Sequence, residues 1–244
     1  MILSKLPLHV AHAAPMLDGA AAFAEVVLPP TSGGNSLLVY SIHLSTRCPP
    51  TKRRQEVEAV LRHATVRATG GADNALANDA TAGRPAPIAT LVAGDFNQPN
   101  EDDYPSDEWA VLAADLDAAR LPRTDGAMAA MRAAGFVPSW ERPEAVARPL
   151  VASSAWNGAI VDYCFVRANG VACEHGKGSQ QALHHHQHHH RHHRHGSTPG
   201  GITVEASYFY HTLASDHLPL VVDFNIVRSN SPTVQVSDEQ GKLE

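Results

Sequence analysis

The chain is poor in the features that would settle its class quickly. Its 244 residues hold three cysteines, Cys48, Cys164 and Cys173, with no Cys-x-x-Cys spacing. That excludes a disulfide framework and a thiolate metal knuckle, and an odd cysteine count fits reduced thiols in an intracellular setting. No apolar run approaches the ~18 residues of a membrane span, and the N-terminus lacks the charged-then-apolar order of a secretory signal. Cationic excess is missing too. Nineteen Lys and Arg face 25 Asp and Glu, for a net charge of −6, which argues against a surface built for nonspecific nucleic-acid binding. No Ser or Cys sits in a nucleophile elbow, and neither a Gly-rich phosphate loop nor a dinucleotide fingerprint is present. Aromatics make up 6% of the chain, and an apolar share of 43% with 18% charged residues is ordinary for a globular protein.

What the chain does contain centres on residues 88–98. Residues 88–93 form a short apolar run with β-branched members, bounded by Pro85 and Pro87 before it and Gly94 after it. This reads as a buried strand. Asp95 and Asn97 follow at i and i+2, so in extended geometry a carboxylate and an amide leave the strand on one side. The competing reading is an Asx turn that closes the strand.

The rest of the chain supplies further elements. Residues 1–8 open strand-like with Ile2 and Leu3. Residues 23–28 and 37–44 form a hairpin across Pro29, Pro30, Gly33 and Gly34, with His43 inside the second run. Val57, Val60, Leu61 and Ala64 recur at helical spacing over 52–67, and the basic start Lys52, Arg53 and Arg54 reads as a solvated face. Residues 69–87 read as a low-complexity loop. Ser106 caps a helix to about residue 116, and a second helix over 126–134 ends at Gly135. The run 160–166 is a strand with Asp162 in its middle, where a carboxylate among apolar neighbours is costly unless a cation or donor meets it. Residues 176–201 carry nine histidines between positions 184 and 195. That tract reads as an expanded, unstructured repeat with opportunistic Zn²⁺ or Ni²⁺ affinity. Residues 202–210 form a strand. Asp216 and His217 stand at the mouth of another, and the chain turns polar from Arg228.

Four strand-like runs thus place polar groups at or near an end: His43, Asp95 with Asn97, Asp162, and Asp216 with His217. Together they point to one site at a sheet edge. Carboxylates, an amide and imidazoles suit a hard divalent cation and metal-assisted hydrolysis of a phosphate ester.

The series Ser41-Ile42-His43-Leu44, Gly94-Asp95-Phe96-Asn97, Val161-Asp162-Tyr163 and Ser215-Asp216-His217-Leu218-Pro219 resembles the motifs of the endonuclease/exonuclease/phosphatase superfamily, the DNase I-like metal-dependent phosphoesterases. The resemblance implies a four-layer α/β sandwich of two packed mixed sheets flanked by helices. It covers residues 1–226, with insertions at 69–87 and 176–201 and a polar tail over 227–244. It further implies Mg²⁺ or Mn²⁺ bound by Asp216. Asp95 would be the base for the attacking water, with Asn97 on the same water. His217 would contact the phosphate, its ring held by Asp162, and His43 would stabilise phosphoryl oxygens or serve the leaving group. Substrates in that superfamily include nucleic acid, phosphoinositides and phospholipid headgroups, and residues alone do not separate these or set an oligomeric state.

The chain departs from the family pattern at its start. The family's first strand carries an Asn and the next segment a metal-binding Glu. Neither has a counterpart here, since Glu25 stands in a different strand context. The expectation is therefore a domain truncated at its N-terminus. A catalytically impaired remnant or binding module of the same fold, without the metal-binding Glu, is the alternative to a hydrolase, and a metal-sequestering protein acting through the histidine tract is a third class.

Overall fold

The computed structural model of the chain describes residues 2–12, 21–29, 35–46, 48–49, 51–69, 86–141, 159–169, 201–209 and 220–227. In order these hold β1 Leu8–His12, β2 Ala21–Val27, β3 Ser36–His43, α1 Lys52–Thr69, β4 Ala89–Asp95, α2 Ser106–Ala118, α3 Ala127–Ala133, β5 Val137–Pro138, β6 Asp162–Ala168, β7 Gly201–Phe209 and β8 Leu220–Val227. The architecture is mixed α/β with two sheets: a six-stranded sheet in the order β1-β2-β3-β4-β6-β5, and the antiparallel pair β7-β8.

The expected hairpin is present, with Ala21 opposite Ile42 and Val27 opposite Ser36. The opening expectation is corrected. The first strand begins at Leu8 and not at Ile2, Leu3 is 85% exposed, and the Leu6 amide donates to the Ser4 hydroxyl at 3.0 Å. A local side-chain-to-backbone bond of that kind competes with sheet pairing. Along β3, burial alternates residue by residue, as a strand with one face on a core requires. Leu38, Tyr40 and Ile42 pack under Val57, Val60 and Ala64 of α1. That helical stripe, read correctly from the sequence, carries the chain from β3 across to the parallel strand β4, a connection that needs a crossover of this length.

The same core takes in Phe96, Phe136 and Phe165, each of which contributes about 1.5–3 kcal/mol by burial. Behind the six-stranded sheet, Ala89, Leu91, Cys164 and Val166 meet Ile202 and Val204 of β7, with Val222 and Phe224 of β8 alongside. The main sheet is thus apolar on both faces at β4 and β6, which is why β4 reads as a continuous apolar run. Among the described residues no helix is long and apolar enough to cross a membrane. The expected low-complexity segments fall almost wholly on residues 70–85 and 170–200, outside the described residues.

Candidate functional site

Three of the expected site residues stand in one row. In the parallel pairing of β3 and β4, His43 is registered with Asp95. In the antiparallel pairing of β4 and β6, Asp95 is registered with Asp162. Since side chains alternate along a strand, Asp95 shares the face of Leu91 and Ala93, Asp162 that of Cys164 and Val166, and His43 that of Leu37. All of these apolar neighbours belong to the cluster between the two sheets. The three polar side chains therefore crown one end of the inter-sheet space. His43 Nε2 lies 3.5 Å from Asp95 Oδ2, with the imidazole 70% exposed and the carboxylate 15%. Two carboxylates registered directly across the ladder and an open imidazole make a compact set of proton acceptors and anion or cation contacts.

Asp162 sits differently from expectation. It is the first residue of β6, half-buried, and not its middle. The chain enters the sheet there because the carbonyl of Val161 accepts the Phe96 amide at 2.8 Å. Its carboxylate thus opens at the sheet's end, which removes the penalty expected for a charge inside an apolar strand.

Asp95 and Asn97 are close for a different reason than strand alternation. Asp95 ends β4, and Asn97 has φ +50°, a left-handed conformation that Asn tolerates better than most residues. The Asn97 amide donates to Asp95 Oδ1 at 2.7 Å, an Asx turn, while Asn97 Nδ2 donates to the Leu44 carbonyl at 2.8 Å. Asn97 thereby ties the ends of β3 and β4 together. Gly94 makes this approach possible. At its φ of +139° a Cβ would lie 2.0 Å from the Ile42 carbonyl oxygen, so only glycine lets β3 and β4 meet beside the site.

Beneath these ends lies a buried polar network that the sequence reading missed. Arg53 is 4% exposed and Gln98 2%, so the basic start of α1 is not wholly a solvated face. Arg53 Nε donates to Asp125, one terminal nitrogen to the Ser45 carbonyl at 3.2 Å and the other to Gln98 Oε1 at 3.0 Å. Glu56, also buried, accepts the Ser45 amide at 2.9 Å. The loops that follow His43 and Asn97 are therefore clamped to the first turns of α1. A signal was present: positions 53, 57, 60 and 64 fall on one helical face, so the buried stripe runs back one turn into Arg53.

Other acids lie apart from this row. Glu25 is registered with Leu38, accepts Ser36 Oγ at 2.6 Å and pairs with Arg67 at 3.3 Å, at a distance from the end of β3 that carries His43. Asp103 accepts from Tyr163 at 2.8 Å and from Trp140 at 3.4 Å, and burial holds its carboxyl above the usual range. Asp216 and His217 lie outside the described residues. Asp95 and Asp162 offer the oxygen donors that a hard divalent cation takes. Among the described residues no three His, Cys, Asp or Glu side chains converge as a complete metal set.

No family model matches the chain, and no curated protein matches it. Similar solved structures exist. The catalytic domain of human Nocturnin with bound sulfate is 14% identical, with 91% of this chain aligned to 60% of that one at a TM-score of 0.47. An endonuclease/exonuclease/phosphatase family protein from Leptotrichia buccalis is 11% identical, with 84% aligned to 53% at 0.44. The mannosyl-6-phosphatase of Bacteroides thetaiotaomicron is 12% identical, with 84% aligned to 56% at 0.42. These likenesses concern fold alone, and the chain spans 53% to 60% of the length of those structures.

Proposed function

We propose that the chain is a divalent-metal-dependent phosphoester hydrolase, acting on a phosphodiester or phosphomonoester by attack of water. The observation that carries this reading is the row His43, Asp95 and Asp162 across three adjacent strands. Asp95 takes the proton of the attacking water, as a carboxylate held by an Asx turn and flanked by an imidazole is placed to do. Asn97 fixes the Asp95 oxygen through its amide. His43, largely exposed beside Asp95, stabilises phosphoryl oxygens or serves the leaving group. Asp162 orients the imidazole of His217, and His217 contacts the phosphate. Asp216 is the proposed principal ligand of Mg²⁺ or Mn²⁺. A bound divalent ion would supply charge neutralisation at the phosphoryl oxygens.

The test is hydrolysis of bis(p-nitrophenyl) phosphate with and without Mg²⁺. Turnover that requires the ion and falls by at least 10²-fold in Asp95→Asn is the expected result. Equal turnover in the variant contradicts the role of Asp95. Absence of turnover together with absence of Mg²⁺ binding favours the second reading, a binding module of the same fold.

A further inference from the structure

We infer that the cleft beside Asn97 is a subsite for an uncharged, apolar group of the substrate, about the size of one ring, and that it selects against polyanionic esters. The inference rests on the phosphoesterase reading and narrows its substrate class. The cleft encloses about 200 Å³ between Asn97, Gln98 and Arg53 on one side and Leu116, Leu121 and Pro122 on the other. Its lining includes Asn97, two residues beyond the proposed base, whose amide is bonded to the Asp95 carboxylate. A group attached to a phosphorus beside Asp95 would enter here.

The chemistry of the walls sets what that group can be. The leucines and the proline present apolar surface. Arg53 is the cation in the lining, and its charge is compensated: the Asp125 side chain that it meets is fully buried, and its terminal nitrogens are engaged by Ser45 and Gln98. Gln98 is engaged at both ends, since its Nε2 donates to the carbonyls of Pro99 at 3.0 Å and Arg123 at 2.7 Å. A second phosphate would therefore find a satisfied ion pair and not a free guanidinium. Burying a charge there without a partner is costly, whereas burying a ring against leucine is favourable.

The approach reinforces this choice. Residues 101–118 include Glu101, Asp102, Asp103, Asp107, Glu108, Asp115 and Asp117 and no Lys or Arg. The basic residues that follow are Arg120 and Arg123, and Arg123 is bound to Asp117. A chain of phosphates laid across α2 meets like charge. The fitting substrate carries one phosphate and an uncharged organic group.

Phenyl phosphate, inorganic phosphate and phenol, titrated into the full chain with Mg²⁺ and followed by NMR, test this. Phenyl phosphate should move the methyl signals of Leu116 and Leu121 together with the amides of Asp95 and Asn97. It should bind about tenfold tighter than inorganic phosphate, which should move the amides alone. Leu121→Asp should weaken phenyl phosphate about tenfold and leave inorganic phosphate unchanged. Leu116→Ala, a milder change, should do the same to a smaller extent. Equal affinities for the two ligands, or tighter binding of an oligothymidylate than of phenyl phosphate, overturn the subsite. Phosphate moving Asp95 while phenyl phosphate and phenol leave the leucines unmoved also overturns it, with the hydrolase reading intact. Phenol moving the leucines while no phosphate species moves Asp95 or Asn97 sinks the hydrolase reading itself, and the cleft's role as its subsite with it.

Discussion

Asp95 and Asp162 face each other directly across the β4–β6 ladder. Like charges placed opposite one another in an antiparallel pair destabilise the sheet by about 0.2–1 kcal/mol. A site that holds a cation converts that repulsion into attraction. A double-mutant cycle with Asp95→Asn and Asp162→Asn isolates the pairwise term from whatever else each carboxylate does. Urea unfolding should return a repulsive coupling of about 0.2–1 kcal/mol without divalent ion, and a favourable coupling in millimolar Mg²⁺.

Arg53 and Asp125 are the buried charges on which the site loops rest. Removing one partner leaves the other uncompensated, so Arg53→Met and Asp125→Leu should each cost about 3–5 kcal/mol in chemical denaturation. The double variant should be closer to wild type than either single one. The two diverge in consequence from Arg54→Ala, which removes an exposed pair with Glu58 and should change stability by less than about 1 kcal/mol.

Gly94→Ala should be among the most damaging small substitutions in the chain. The added methyl would collide with the Ile42 carbonyl at a backbone angle that alanine avoids, at a cost of about 3–5 kcal/mol. Thermal melts should show the loss, and a variant that melts like the wild type would contradict the observed β3–β4 approach.

His63 links stability to pH. Tyr40, buried and with its hydroxyl held well above its usual pKa by burial, shares a hydrogen bond with His63 Nδ1 at 2.6 Å. Burial first, and the neighbouring Arg67 second, push His63 below its usual pKa of 6.5. The folded state therefore prefers neutral His63. Its contribution is complete above pH 6.5 and is lost as pH falls from there through the depressed folded value. Asp103, raised by burial, acts with the opposite sign at lower pH. The difference between wild type and His63→Gln isolates the histidine. The melting temperature of wild type should fall from pH 7.5 to 5.5 more steeply than that of the variant, whose amide oxygen can still accept from Tyr40.

The hairpin is legible in the sequence from two apolar runs split by Pro and Gly, α1 from its helical stripe and β4 from its continuous apolar run. His43 and Asp95 read as near strand ends, whereas Asp162 reads as mid-strand and in fact opens β6. The sequence misled where local chemistry overrides pattern. Ile2 and Leu3 look like a strand, yet the Ser4 turn intervenes. Asn97 admits both an alternating-strand and an Asx-turn reading in the sequence, and the structure has the Asx turn. Arg53 looks solvated by its charge, and only the helical stripe that continues through Val57, Val60 and Ala64 shows its true face. Long-range partners such as Asp125 and Gln98, 72 and 45 residues away, leave no local mark at all.

The central claim is that the row at the ends of β3, β4 and β6 lines the site of a divalent cation. Mn²⁺ added in substoichiometric amounts broadens the NMR signals of nearby nuclei. The account predicts that amides of His43, Leu44, Asp95, Phe96 and Asp162 broaden first, and that Mg²⁺ restores them. Broadening confined to the histidines of residues 184–195, with the strand ends sharp throughout, would contradict it.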